Sequence, residues 1–129
     1  MSRFATVLLH DRPVTAAPDG SRVRALLALA GGSMIHFELA PGHVAGAVTH
    51  RTVEEIWFVV SGLGELWRKQ GECEETVALE PGVCLTIPLG TCFQFRASPD
   101  EAVSVIGVTM PAWPGDDEAI HVAGPWPSP

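Results

Sequence analysis

Positive charge is scarce in this chain. Lys and Arg total 8 against 15 Asp and Glu, a formal net charge of −7. The acids gather at Glu72, Glu74 and Glu75 and again at Asp116, Asp117 and Glu118, with no basic stripe to offset them. A phosphate backbone is held by a cationic footprint, so no nucleic-acid partner is expected. Long apolar runs are missing as well. The best stretch, "ALLALA" at 25–30, is broken at once by Gly31 and Gly32, far short of the roughly 20 residues of a membrane span. The opening "FATVLLHDRP" has neither the apolar core nor the small-residue cleavage site of a secretory signal. Cysteine is sparse: Cys73, Cys84 and Cys92 are odd in number and irregular in spacing, which gives no disulfide framework and no zinc knuckle. A cytoplasmic location is expected, with Cys73 and Cys84 as ordinary small residues. No GxSxG, HExxH, Walker or CxxC pattern occurs. Gly62 and Gly64 form a lone pair with no third glycine or helix after them, and read as a turn. A sustained period of 3.6 is also absent, save for an ambiguous turn or two near 115–121.

What is present argues for one all-β domain over residues 1–129. Apolar residues make up 47% and charged residues 18% of 129 residues, enough for a real core. Turn signals such as "PDG" at 18, "APG" at 40, "SGLG" at 61, "EPG" at 80 and "PLG" at 88 recur at short intervals. Between them lie β-rich runs including "SMIHFEL", "EIWFVV", "VCLTIP", "CFQFR" and "AVSVIGVTM". Many short strands about ten residues apart predict a sandwich or barrel, with its core at about 21–110. "GELWRKQGECEETVAL" reads as a hairpin turning at Gln70 to Glu72. Residues 111–129 hold five of the 11 prolines and two of the four tryptophans. Such an arm is expected to be irregular, and to lie over the barrel or a second subunit so that Trp113 and Trp126 leave water.

"EIWFVV" is apolar on both faces. Alternation sends Glu55, Trp57 and Val59 one way and Ile56, Phe58 and Val60 the other. A one-sided sheet facing water would alternate apolar with polar, so the outer face predicts a cover, and a homodimer is the expected one.

The chemistry concentrates in "THRTVEEIWFVVSG", residues 49–62, where His50 stands five residues before Glu55 at the lip of an apolar strand. Residues 42–62, "GHVAGAVTHRTVEEIWFVVSG", resemble the first motif of the cupin superfamily: Gly, five residues, His-x-His, three or four residues, Glu, six residues, Gly. Gly42, His50, Glu55 and Gly62 fall on it. Residues 82–97, "GVCLTIPLGTCFQFRA", resemble the second motif at Gly82, Pro88 and Gly90. The resemblance implies a small single-domain cupin: a double-stranded β-helix, or jelly-roll barrel, of two antiparallel sheets.

It also implies a metal site that has decayed. Metal-binding cupins use the two motif-one histidines, the glutamate and the motif-two histidine. Here the first histidine position is Val48, the motif-two position is Phe93, and the closing asparagine position is Ala97. His50 and Glu55 remain as candidate ligands for a divalent metal. Two protein ligands hold a transition metal poorly, and tight sites take three or four. Cys92, one residue before the expected histidine, and His43, on the loop entering the motif, are candidates for a third; His36 on the preceding strand is another. Spacing favours Glu55 over Glu54, while His10 and His121 read as surface residues. Val48, Trp57, Val59, Phe93 and Phe95 are expected to line an apolar, partly aromatic pocket.

The leading reading is a small cytoplasmic cupin that binds a small organic ligand beside a degenerate His50–Glu55 site. The alternatives are a metal-dependent oxygenase or isomerase completed by Cys92 or His43, a metal-free sensor or binding module, and a sugar isomerase-like protein. Whether it is an enzyme stays open at this stage. Arg51, Arg68 and Arg96 are scattered, so no phosphate cluster is expected.

Overall fold

Alternation decides the architecture, and the strand Glu54–Gly62 illustrates it. Glu55, Trp57 and Val59 are buried while Glu54, Ile56, Phe58 and Val60 are exposed. The strand Val103–Met110 likewise buries every second residue. The computed structural model describes residues 3–128. In chain order its strands are β1 (Thr15–Ala16), β2 (Arg22–Leu29), β3 (Gly32–Leu39), β4 (Val48–His50), β5 (Glu54–Gly62) and β6 (Gly64–Gln70), then β7 (Cys73–Leu79), β8 (Cys84–Ile87), β9 (Cys92–Ala97), β10 (Val103–Met110) and β11 (Ala119–His121). They form two antiparallel sheets, β1-β2-β3-β10-β5-β8 and β11-β4-β9-β6-β7. Sequence neighbours often lie in opposite sheets, as a jelly roll requires. No helix of the described residues is long and apolar enough to cross a membrane.

Glycine matters most at Gly62. It adopts φ +85°, and an added Cβ would lie 1.7 Å from the Ala102 carbonyl oxygen. Only a residue without Cβ lets the chain leave β5 here and start β6 two residues on. The hairpin β6–β7 closes with Gln70 opposite Cys73, leaving Gly71 and Glu72 as a two-residue loop.

Between the sheets, Phe37, Trp57 and Phe95 pack edge to face, with ring centroids 4.7 Å, 5.3 Å and 5.6 Å apart. Leu39, Val59, Leu66, Leu79, Val103 and Val105 complete the packed layer. This plugs part of the barrel and leaves the space around His50 unfilled.

The arm after residue 110 departs from the irregular run expected of it. Residues Ala119–His121 form β11, paired antiparallel with β4 through Ala119–His50 and His121–Val48. The open edge of β4 supplies the backbone partners that the segment lacks by itself. Further on, the Gln94 amide nitrogen donates to the carbonyls of Ala45 (2.9 Å) and Trp126 (2.8 Å), and its oxygen accepts the Trp126 N–H (3.1 Å). The Arg96 guanidinium stands over the Trp126 ring at 4.1 Å.

Candidate functional site

β4 and β5 deliver the two polar residues that the spacing singled out. His50 ends β4 and Glu55 is the second residue of β5, so the short turn 51–53 fixes their relative placement. The structure brings them together: His50 Nδ1 lies 3.4 Å from Glu55 Oε2, with both side chains almost fully buried. Glu55 Oε1 accepts the Trp57 indole N–H at 2.7 Å. His50 Nδ1 has no hydrogen-bond partner among the described residues. Phe93 and Trp113 stand edge-on to its ring, with centroids 5.2 Å and 5.1 Å away.

These groups border a cavity of about 410 Å³ between the sheets, lined also by Val23, Ile35, Phe37, Val48, Trp57 and Phe93, with Arg12, Asp19, Trp113 and Asp116 on its border as well. That volume suits a drug-sized organic molecule. Of the expected lining, Val48, Trp57 and Phe93 are in place. Val59 and Phe95 are not: both are fully buried in the packed layer behind the cavity. Their side chains point inward as alternation requires, but into the packed layer, of which Phe95 is itself part. Gly107, opposite Trp57 on β10, leaves space for the Phe37 and Glu55 side chains. A Cβ there would lie 2.9 Å from the Phe37 ring and 3.5 Å from Glu55 Oε1.

Burial pushes the Glu55 carboxyl up to about 7; the Trp57 bond pulls it back, and the charge of Asp19 adds to the rise. Burial also lowers the His50 imidazolium, against the Glu118 carboxylate and a bond with the Val53 backbone, which favour the charged ring. Distance alone would suggest an ion pair. Desolvation outweighs it in both groups: near neutrality Glu55 is divided between its acid and carboxylate forms, and the His50 ring is shifted toward its neutral form. Asp19, too, is raised by burial, opposed by the Ser21 hydroxyl and amide, which both bond its Oδ1.

The donor set does not fit a metal ion. Val48 and Phe93 sit opposite each other in the β4–β9 pairing and present apolar carbon where imidazoles would be needed. Neither Cys92 nor His43 approaches. Cys92 alternates with Phe93 and so faces away from the cavity, while His43 is exposed on the turn before β4, where its carbonyl accepts the Ala97 N–H. His36 bonds Ser104 Oγ at 2.6 Å, opposite the inward-facing Ile35 and Phe37. Among the described residues no group of three or more His, Cys, Asp or Glu side chains is arranged to hold an ion.

The sequence matches the family model of the cupin domain over residues 35–109. The chain belongs to the cupin family. No curated protein matches it. Similar solved structures include a Streptomyces Pac13 variant with uridine (TM-score 0.74, 16% identity, covering 95% of this chain and 92% of that one). KdgF from a Halomonas species is similar as well (TM-score 0.73, 20% identity, 89% and 98%). A further structure of Pac13, a nucleoside dehydratase, is similar too (TM-score 0.73, 15% identity, 93% and 92%). At these identities the likeness carries the cupin barrel alone.

Three residues at the site escaped the sequence reading. Asp19 arrives from the turn before β2, Glu118 and Trp113 from the arm. None falls in either cupin motif. The only signals were the "PDG" turn and the cost of leaving Trp113 in water.

Proposed function

We propose that this cupin binds a small organic ligand in its barrel and moves a proton on it with His50 and Glu55. One observation carries the reading: a buried carboxyl with its pKa near 7 stands 3.4 Å from an unpartnered imidazole nitrogen at the wall of an open cavity. A group whose pKa sits near the working pH both holds and releases a proton. Glu55 in its acid form donates from Oε2 to a leaving or carbonyl oxygen, and His50 in its neutral form accepts a proton through Nδ1. Dehydration and isomerisation are the reaction types such a pair serves, and the fold's likeness to a nucleoside dehydratase agrees with that class. With apolar residues at two of the four metal-ligand positions, no step is routed through a metal. On the same reading the protein is a cytoplasmic homodimer. The second reading, a binding module without catalysis, draws on Val48 and Phe93, which leave the cavity mostly apolar.

The test is thermal unfolding against a panel of neutral sugars, nucleosides and hydroxy acids. At least one class is expected to raise Tm with the logarithm of its concentration and to be consumed by the parent but not by Glu55→Gln. Binding without turnover would favour the module. No shift from any class at millimolar concentration would contradict both readings.

A further inference from the structure

Glu118 lies in the arm, in a single 3-10 turn (Asp116–Glu118), yet it is only 3% exposed. One carboxylate oxygen accepts the N–H groups of Thr52 (2.6 Å) and Val53 (3.0 Å), and the other accepts the Thr52 hydroxyl (2.6 Å). Its own carbonyl accepts the Arg51 N–H at 3.0 Å. One residue thus ties down all three residues of the turn joining His50 to β5. The next residue, Ala119, pairs directly with His50 in the β11–β4 ladder. From another direction Trp113 packs against the His50 ring, and its backbone N–H donates to Ser33 Oγ at 3.1 Å.

Burial alone would raise the Glu118 carboxyl, but the Thr52 and Val53 bonds outweigh it and hold it below the ordinary glutamate value, with the His50 charge acting the same way. A buried carboxylate held by neutral donors projects its charge onto whatever lies nearby, and His50 is within its reach.

We propose that Glu118 is a positioning residue of the pocket, fixing the 51–53 turn and with it the His50 ring against Glu55, so that the C-terminal arm is a working part of the site. Its purpose rests on His50 and Glu55 being the functional pair, but its test needs no ligand. The measurement is the histidine-ring and tryptophan-indole NMR spectrum of the full chain in the parent, Glu118→Gln and Asp117→Asn. Glu118→Gln is expected to stay folded, with Tm lower by roughly 5–10 °C from the lost charged hydrogen bonds. It should move the His50 and Trp113 resonances while those of His10, His36 and His43 stay in place. Asp117→Asn, which alters an exposed neighbour in the same turn, should move none of them. A folded Glu118→Gln with His50 unmoved, or with all histidines displaced alike, would overturn the proposal. If that variant fails to fold, Thr52→Val decides: it keeps the carboxylate and removes one donor, and selective movement of His50 supports the proposal while none overturns it. A failed ligand panel would leave these spectra unchanged, so the two ideas fall separately.

Discussion

Glu55 interrupts a strand that is otherwise apolar on its inner face, and its proton links the site to the stability of the protein. The unfolded chain releases that proton near the ordinary value of 4.5, the folded chain only near 7. Between these values the folded state binds more protons, so the Glu55 contribution is fully present below about pH 4.5 and is lost as pH rises through about 7. The difference is worth about 3 kcal/mol. His50 acts oppositely: its lowered value means stability is lost as pH falls below 6.5. Glu55→Gln isolates the first effect, since the amide oxygen can still accept the Trp57 indole. By chemical denaturation this variant should be about 1–3 kcal/mol more stable than the parent at pH 8, with the advantage gone near pH 4. Equal stability across that range would mean Glu55 ionises like an exposed carboxyl. The pair itself was legible because both residues fall on one motif, and alternation along β5 turns Glu55 inward. Asp19 and Glu118 were not, because a carboxylate's neighbours across the barrel are set by tertiary packing, which local spacing does not encode.

β4 and β9 are neighbouring strands of one sheet, pairing Val48 with Phe93 on the wall of the cavity, and the Phe93 ring reaches His50. If the motif register holds, positions 48, 50, 55 and 93 converge on one point and only two ligands are missing. Val48→His with Phe93→His should restore three imidazoles and one carboxylate around a point, a set that suits iron, manganese, nickel or zinc. Without metal the two buried polar side chains cost about 1–3 kcal/mol each, so the double variant should melt below the parent in chelator. Added divalent metal should raise it steeply while leaving the parent nearly unmoved. An equal response in the parent would reveal a complete site that the donor positions do not suggest, and no response in the variant would mean the strands do not converge. Long strands such as β5 and β10 were legible from period two. β11 was not: three residues are too few to show a period, and their strand character comes from the edge of β4.

At the level of the whole molecule, the outer face of the larger sheet is a conspicuous exposed apolar surface. Ile56, Phe58 and Val60 stay 46–48% exposed, with Met34 and Leu27 also exposed. From residue 119 on, the arm docks on β4 and β9 of the other sheet and leaves this face open. A stable interface takes roughly 800 Å² per partner, and a six-stranded sheet can offer that area. Light scattering at micromolar concentration should give twice the 13.7 kDa chain mass, falling to the single mass in Phe58→Glu. A parent that runs only as the single chain would remove the homodimer. The barrel and its two sheets were legible from turn spacing and motif glycines. The division of its interior into aromatic plug and cavity was not, because inward alternation says which way a side chain points and not whether the space there is filled.

At neutral pH, one proton on Glu55 separates a pocket equipped for acid–base chemistry from one that only binds. The most direct measurement is the carbon-13 NMR titration of the Glu55 side-chain carboxyl in the ligand-free full-length protein, assigned by its loss in Glu55→Gln. A midpoint near 7 is the predicted result. A midpoint between 4 and 5, where exposed glutamates titrate, would contradict it.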